Sequence, residues 1–366
     1  MDRRRAADVL IVSLGSTAGL RRADEELAGS LERAGAKVAL ARASAPRPLP
    51  TLMLTDLAWA RAARAAAGRM LEQLRGAAPA VIYSSTTAAL LWPRPGAIRF
   101  DAPSCGNRPG RHGVWQRPLE RRRLGQAPLL LPWSDSALRE LPSADRRPDS
   151  TIVLPVPIAG SAARAPDAGG DESARSGSSE RSGARDIAAI TYAANPVKKG
   201  LDRVLSAWRG VRAARRSRAP EEELVVAGAA ARELERYGLI GSREAGVRAV
   251  GPLAIEEYRA LLRRARVFVC APRREDFGIA QLEALADGCL LVTNAAPGPY
   301  AALPIARELD PRLVGEDLTG SLLTALDDPA PDYAARARRA LAPFTRESVD
   351  RLVAQELLPR LLSEPL

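Results

Sequence analysis

The sequence feature that most constrains the fold is one segment, residues 267–294, which reads VFVCAPRREDFGIAQLEALADGCLLVTN. It begins and ends with apolar runs, and each run has the length of a strand that is buried in a parallel sheet. Between them, a helix-compatible stretch starts near Phe277 and stops at Gly288, a residue type that commonly follows a helix. A helix that connects two parallel strands is a βαβ unit. The segment therefore predicts an α/β fold with a parallel sheet.

Two carboxylates in this segment are placed to bind a ligand. Glu275 lies in the turn before the helix and Glu283 lies inside it, so we expect both at the open end of the sheet. The backbone N–H groups of Gly278 and Ile279, at the helix start, are expected to be unpaired and able to receive an anion. A carboxylate can accept hydrogen bonds from two hydroxyl groups. The arrangement suits a nucleotide sugar, with amides and a basic residue for the diphosphate and carboxylates for the sugar and the ribose.

The same segment carries a family resemblance. Residues 275–288, EDFGIAQLEALADG, resemble the E-x7-E segment of retaining GT-B glycosyltransferases of family 4. The resemblance implies that Glu275 orients the donor sugar and that Glu283 binds the ribose. It also places Phe277, Gly278 and Ile279 in the donor site. The alternative is an ordinary strand, helix and strand with two unrelated glutamates.

The chain length and one change of composition indicate two domains. A chain of 366 residues suits two domains of roughly 150 to 180 residues each. Residues 160–185 are rich in Gly, Ser, Ala and mixed charges without periodic apolar residues, which is typical of a flexible linker. We therefore predict an N-terminal acceptor domain over residues 1–159 and a nucleotide-sugar domain over 186–346. The resemblance implies the GT-B architecture, in which two Rossmann-like, doubly wound domains face each other across a cleft. The amphipathic residues 347–366 would then form a helix that crosses back onto the first domain.

The first strand of the N-terminal domain leads into a glycine-containing loop with Gly15 and Thr17. This loop lacks the GxGxxG pattern and no acidic residue follows the second strand, so NAD binding is poorly supported. In the resembled family the corresponding loop lies at the acceptor side of the cleft. Gly15 and Thr17 are therefore acceptor candidates, although a tight structural turn explains the glycine equally well.

A later loop of the first half contains two catalytic candidates. In the resembled family a histidine stands just past a strand and reaches the donor sugar, and here Asp101 takes that place. His112, the single histidine of the chain, follows later in the same loop. The resemblance implies a role for Asp101 or His112 in the cleft. A surface or helix-capping histidine is the alternative.

The start of the second half resembles the segment G-R-x4-K-G of the same family, in which an arginine and a lysine hold the donor diphosphate. Lys199 matches the lysine, whereas Ala194 occupies the arginine position. Lys198, Arg273 or Arg274 could compensate, because a diphosphate requires a mobile or bidentate cation. The alternative for the two lysines is a solvated pair at a turn.

Residues 247–253, VRAVGPL, resemble the strand and turn that border the nucleobase in this family. That contact is mostly made by backbone groups, which leave little trace in a sequence. Val250 and Gly251 are the candidates that the resemblance implies.

Composition bears on partners and cofactors. The net charge of +11 would suit nucleic acid or an anionic membrane, but only three of the cations are lysine, a bias that we attribute to a GC-rich genome. Aromatic residues make up 4% and no nucleic-acid motif occurs, so we expect no nucleic-acid partner. The basic first half would rest peripherally on anionic lipid if the acceptor were lipid-linked.

Several observations predict a cytoplasmic bacterial protein without metal or cofactor. No apolar run is long enough to span a membrane or to form a signal-peptide core. The three cysteines are far apart and indicate reduced, mostly buried residues. One histidine and no Cys cluster exclude the usual zinc sites.

The resemblance implies transfer of a hexose-like sugar with retention of configuration. The acceptor would be a glycan, a lipid-linked molecule or a small molecule. No metal is required in this fold, because cations and helix amides stabilise the departing diphosphate. The alternative is a degenerate GT-B protein that binds a nucleotide sugar without turnover, since Ala194 and Asp101 depart from the family pattern. An epimerase is disfavoured, because no cluster of titratable residues is poised for proton abstraction.

Overall fold

Short apolar runs form the strands, and most strand residues are buried, as expected for parallel sheets that helices cover on their faces. The computed structural model describes residues 6–47, 49–74, 78–158, 185–215, 219, 221–241 and 244–363. The described strands form two parallel sheets with five strands each. The predicted α/β fold is thus confirmed.

The first sheet has the strand order β2-β1-β3-β4-β5. Its strands are β1 Val9–Ser13, β2 Val38–Arg42, β3 Ala80–Tyr83, β4 Ala97–Phe100 and β5 Leu130–Pro132. The helices of this half are α1 Ala18–Arg33, α2 Leu52–Gln73, α3 Thr86–Ala89, α4 Ser104–Asn107, α5 Gln116–Gln126 and α6 Asp135–Glu140. Short 3₁₀ turns span Gly110–Gly113, Ser143–Asp145 and Pro148–Ser150.

The apolar run of residues 151–156 predicts a last strand of the first domain, but this prediction is wrong, because the run forms no sixth strand in the described structure. Only an isolated bridge joins Thr151 to Leu130, and the Leu154 N–H donates to the Pro132 carbonyl at 2.8 Å. The segment therefore runs beside β5 without a continuous ladder. Pro155 contributes to this, because a proline has no N–H to donate.

The second sheet has the order β10-β9-β6-β7-β8. Its strands are β6 Ile187–Tyr192, β7 Leu224–Ala227, β8 Val247–Gly251, β9 Ala265–Cys270 and β10 Leu290–Thr293. Its helices are α7 Leu201–Arg215, α8 Ala231–Arg236, α9 Ile255–Arg264, α10 Ile279–Ala286, α11 Ala302–Leu309, α12 Leu318–Asp327 and α13 Tyr333–Ala340. Short 3₁₀ turns span Pro311–Leu313 and Ala342–Phe344.

The chain divides into two compact units. The first contains the described parts of residues 1–157, 298–301 and 343–366, and the second those of 158–297 and 302–342. The predicted linker, residues 160–185, lies outside the described residues except for Arg185. No helix among the described residues has the length and apolar character needed to cross a membrane.

The last described segment belongs to the first unit. It consists of α14 Arg346–Leu352, a π-helical stretch Val353–Leu357 and α15 Leu358–Ser363. Its buried apolar residues, among them Val353 and Leu357, share a core with residues of β1 and α1. Asp350 also accepts two hydrogen bonds of 2.7 Å from Arg33 of α1. Apolar burial and this ion pair fix the segment against α1.

Candidate functional site

A close approach of two backbone segments builds the centre of the candidate site. Gly200 has φ +61°, and a Cβ atom at this position would lie 1.9 Å from the carbonyl oxygen of Ala271. Only glycine permits both the conformation and the approach. The Arg273 N–H donates to the Lys198 carbonyl at 3.1 Å and joins the same two segments. Lys198 and Lys199 thereby lie beside the turn that follows β9.

The structure brings Lys199 and Glu275 into direct contact. The Lys199 Nζ lies 2.6 Å from the Glu275 Oε2, and the two side chains are 22% and 7% exposed. Gln281 of α10 donates from Nε2 to the same oxygen at 3.0 Å. The Glu275 N–H donates to the carbonyl of Pro297 at 3.0 Å. Side-chain and backbone contacts thus fix the Glu275 carboxylate, as a group that orients a ligand requires.

A second carboxylate extends the charged cluster. Asp276 Oδ2 lies 3.3 Å from the Lys198 Nζ, and Asp276 Oδ1 accepts a hydrogen bond of 2.8 Å from the Arg274 Nε. Together with the Lys199–Glu275 pair, this brings three cations and two carboxylates to the same turn. The excess of positive charge favours an anionic ligand. Lysine and arginine side chains of this kind make strong hydrogen bonds to phosphate oxygens.

The helix that follows begins without a side-chain cap. Gly278 occupies the N-cap position of α10 with φ +92° and ψ +46°, and no side-chain hydrogen bond caps this helix start. The helix therefore begins at Ile279, two residues later than Phe277, where the sequence pattern placed its start. Phe277, the residue before this N-cap, is buried. An uncapped helix start is suited to an anion.

Glu283 lies on α10 with 4% of its surface exposed. One turn further along the helix, Asp287 forms a buried ion pair with Arg259 of α9, including a hydrogen bond of 2.7 Å from the Arg259 Nη2. This pair joins α9 to α10. Burial raises the pKa of Tyr192 above its ordinary value, and the negative charge of Glu283 adds to the increase. Glu283 is thus close to Tyr192, the last residue of β6.

The predicted nucleobase contact is only partly available. Gly251 has φ +73°, its N–H donates to the Ala229 carbonyl at 3.2 Å, and its carbonyl accepts from the Gly228 N–H at 2.8 Å. Its N–H is therefore already used, and a contact from Gly251 would depend on the second lone pair of its carbonyl. The neighbouring Val250 is half-buried.

Local structure accounts for the two acceptor candidates. The Thr17 Oγ1 accepts a hydrogen bond of 3.2 Å from the Leu20 N–H and caps α1. Gly15 has φ +57°, and its carbonyl accepts from the Arg21 Nη1 at 2.8 Å. These are structural roles, and a contact with an acceptor stays a prediction.

Asp101 and His112 lie in the first unit, whereas the donor candidates lie in the second. Asp101 follows β4, is half-buried and accepts a hydrogen bond of 2.9 Å from the Ala102 N–H. His112 is exposed in the 3₁₀ turn Gly110–Gly113. Within the first unit, then, the turn that follows β4 holds Asp101, and His112 lies on a separate, solvent-facing turn.

Two supporting residues were not identified from the sequence. Gln281 is 1% exposed and contacts Glu275, and Asn294 is 5% exposed and donates from Nδ2 to the Pro272 carbonyl at 3.3 Å. Asn294 follows β10, and its hydrogen bond to Pro272 stabilises the turn that carries Glu275. A polar residue inside the otherwise apolar stretch IAQLEALA was the available signal for Gln281.

A buried carboxylate of the first unit was also missed. Glu120 of α5 is 4% exposed, and its Oε1 accepts hydrogen bonds of 2.8 Å from both the N–H and the Oγ of Ser104. Burial raises the pKa of Glu120, and the hydrogen bonds from Thr86 and Ser104 oppose the increase.

Among the described residues, no group of three or more His, Cys, Asp or Glu side chains could hold a metal ion.

Comparison with known proteins relates this geometry to a family. Residues 185–343 match the family model described as glycosyl transferases group 1. No curated protein matches the chain. The matched residues contain every donor candidate described above.

Solved structures resemble the whole chain. WaaG, a glycosyltransferase involved in lipopolysaccharide biosynthesis, has a TM-score of 0.66 at 15% identity and covers 97% of this chain and 100% of its own. Anabaena HepE in complex with UDP-glucose has a TM-score of 0.63 at 13% identity, with 96% and 99% coverage. The α,α-trehalose 6-phosphate synthase of Burkholderia multivorans has a TM-score of 0.63 at 13% identity, with 98% and 99% coverage. The chain therefore has the GT-B fold of two Rossmann-like domains, and its residues 185–343 are similar to the glycosyl transferases group 1 family.

Proposed function

We propose that this protein is a retaining glycosyltransferase that moves a sugar from a nucleotide-diphospho-sugar to an acceptor hydroxyl. One observation carries the proposal: Lys199 and Gln281 hold the Glu275 carboxylate beside the uncapped start of α10. This places a fixed hydrogen-bond acceptor, cations and helix amides at one edge of the sheet. HepE, which shares the fold, was solved with UDP-glucose, which supports a nucleotide-sugar donor.

In this proposal the diphosphate binds at the helix start. Lys199, Lys198 and Arg274 would supply the positive charge, and each of them is paired with a carboxylate of the same turn. A diphosphate would compete with those carboxylates for the three cations, because charge-assisted hydrogen bonds to phosphate are strong. Negative charge grows on the diphosphate as the sugar departs. The cations and the helix dipole then stabilise the transition state more than the ground state, without a metal ion.

Glu275 and Glu283 have separate roles in the proposed site. Glu275 would accept hydrogen bonds from hydroxyl groups of the sugar, since Lys199 and Gln281 fix its position. Glu283 would accept them from the ribose hydroxyls. The departing phosphate would assist attack by the acceptor hydroxyl on the same face, which gives retention. Asp101 and His112 of the first unit are the proposed contributors from the acceptor side.

Thermal stabilisation by UDP-, GDP- and ADP-sugars tests the donor site. A ligand that binds only the folded protein raises the melting temperature when it is present well above its Kd. We expect a shift with one nucleotide class, and loss of the shift in Glu283→Ala and Lys199→Ala. Glu235→Ala, a change at an exposed glutamate of α8, is the matched control and should keep the shift. No shift with any nucleotide sugar would contradict the proposal.

The second candidate is a GT-B protein that binds a nucleotide sugar without turnover. Ala194, which occupies the arginine position of the family segment, is the observation that favours it, because it leaves the diphosphate with one cation fewer. Release of nucleoside diphosphate, measured with and without candidate acceptors in the presence of EDTA, separates the two. Acceptor-dependent release supports transfer without a metal, whereas binding without release supports the second candidate.

A surface of the first unit suits an anionic membrane, and we propose peripheral contact there on the cytoplasmic side. Leu52 and Leu54 at the start of α2 are 50% and 42% exposed, and Val114 beside the 3₁₀ turn is 60% exposed. Arg111 is exposed in that turn. Apolar side chains next to cations are typical of surfaces that rest on anionic lipid.

Vesicle co-sedimentation tests this contact. Wild type should sediment with anionic vesicles at low salt and less at high salt, because salt screens the attraction between charges. The double variant Leu52→Ser and Val114→Ser should sediment less at low salt. Leu362→Ser, at a leucine that is 55% exposed in α15, is the control. Equal sedimentation of all variants, or none by wild type, would contradict the contact.

A further inference from the structure

Two tyrosines of the second unit form a pair that the proposed donor site does not yet use. Tyr192 ends β6 and is half-buried, and Tyr258 of α9 is 5% exposed. Their ring centroids lie 5.4 Å apart with an angle of 55° between the planes. Tyr258 therefore lies against one side of the Tyr192 ring and limits its orientations. Part of the Tyr192 surface remains open to a ligand.

The position of the Tyr192 ring depends on a glycine in the neighbouring strand connection. Gly228 follows β7 with φ +90°, and a Cβ atom there would lie 3.1 Å from the Tyr192 Cε2. The ring thus reaches across to the end of β7. Gly228 in turn donates its N–H to the carbonyl of Gly251 at the end of β8. The ring lies at the carboxyl edge of the sheet, where ligands of such folds bind.

The pair is also close to Glu283. The Arg259–Asp287 ion pair joins α9 to α10. Tyr258 precedes Arg259 and Glu283 lies one turn before Asp287, so both residues belong to the part of each helix that this ion pair joins. Burial raises the pKa of Tyr258 well above its ordinary value, and the negative charge of Glu283 adds to the increase. Glu283 therefore lies near both tyrosines, and Tyr192 is the more exposed of the two rings.

We propose that the Tyr192 ring, supported from behind by Tyr258, is the contact surface for the nucleoside of the donor, next to the carboxylate of Glu283. The inference rests on the proposed function, because it extends the donor site from the ribose toward the base. An aromatic ring can stack on any base, since every base has a π face. Tyr192 thus adds affinity without selecting the base, and Tyr258 is a positioning residue.

Titration calorimetry with UDP, ADP and GDP tests the inference. Tyr192→Leu keeps an apolar cover over Tyr258 but removes the aromatic face, and Tyr192→Phe keeps that face. We expect Tyr192→Leu to bind the preferred nucleotide about 10-fold more weakly than wild type, and Tyr192→Phe to bind within about twofold. Tyr237→Ala, at a tyrosine that is 56% exposed at the end of α8, is the control and should bind as wild type does.

Each other outcome identifies what is wrong. Equal affinity of Tyr192→Leu and wild type, with binding still lost in Glu283→Ala, overturns the role of Tyr192 and leaves the proposed function standing. Equal losses in Tyr192→Leu and Tyr192→Phe overturn stacking, because the ring is kept in only one of them. Failure of wild type to bind all three nucleotides overturns both the inference and the proposed function.

Discussion

Replacing Gly200 by alanine should disrupt the candidate site from its backbone. The left-handed conformation at φ +61° costs a non-glycine residue about 1–2 kcal/mol. The new Cβ atom would also lie 1.9 Å from the Ala271 carbonyl oxygen, and the two segments must separate by roughly 1 Å or more to relieve the contact. Overpacking of this kind costs about 1–3 kcal/mol, so we expect a total loss of about 2–5 kcal/mol.

Gly238 provides the matched control for this change. It has φ +65°, but a Cβ atom there would meet nothing within 4 Å. Gly238→Ala should therefore lose only the conformational part, about 1–2 kcal/mol. The difference between the two variants isolates the close approach of the 195–200 turn to the end of β9.

Hydrogen–deuterium exchange of β6 and β9 peptides across a urea series measures the stability of the second unit directly. Four of the five tryptophans lie outside this unit, so fluorescence would mix the two signals. Gly200→Ala should also weaken nucleotide binding, because the shift separates Lys199 from Glu275. A stability loss no larger than that of Gly238→Ala, with unchanged binding, would refute the reasoning.

Three further variants test the buried polar groups. Lys199→Met leaves the buried Glu275 charge without its cation and should lower stability by about 1–3 kcal/mol, measured by urea unfolding. Tyr258→Phe removes a buried hydroxyl that has no hydrogen-bond partner in the described structure and should raise stability by roughly 1 kcal/mol in the same assay. Burial raises the Glu120 pKa above 4.5, so ionisation opposes folding and stability should fall as the pH rises from about 4.5 through the raised value. Glu120→Gln should remove that fall in melting curves recorded across pH. An unchanged pH profile in Glu120→Gln, or lower stability in Tyr258→Phe, would contradict these assignments.

Much of the fold could be predicted from local sequence patterns. The apolar runs at residues 187–192 and 290–293 are strands because each is short and buried on both faces. The helix end at Gly288 also agrees with the sequence, since this glycine has φ +81°. Patterns of this kind depend on neighbouring residues alone, and they are therefore visible in a single sequence.

Predictions at the ends of elements were less accurate, because other segments decide them. Helix α10 begins at Ile279 and not near Phe277, because Gly278 adopts a left-handed conformation that cannot be part of a right-handed α-helix. The final amphipathic segment is interrupted by the π-helical stretch Val353–Leu357, which keeps its apolar residues against α1 and β1. Hydrophobic periodicity does not contain this information.

The candidate site also depends on contacts between segments that are far apart in the sequence. Two glutamates and a lysine could be identified by spacing and resemblance, but their partners could not. The contact between Lys199 and Glu275 exists because Gly200 lets one loop approach another that is more than seventy residues away, about which local spacing says nothing. Gln281 and Tyr258 look like ordinary helix residues until the packing of α9 and α10 is known.

The ion pairs around Glu275 and Asp276 bear on how the site would work. Lys199 is paired with Glu275, and Lys198 and Arg274 share Asp276, so each of these three cations has a carboxylate partner. A diphosphate can take over these cations because it offers more negative charge than the carboxylates do. The same exchange would release Glu275 from part of its pairing at the moment when a sugar hydroxyl becomes available to it. Binding of the phosphates and orientation of the sugar would thus be coupled through Lys199, and Lys199→Ala should weaken both together, whereas Glu283→Ala should weaken only binding of the nucleoside.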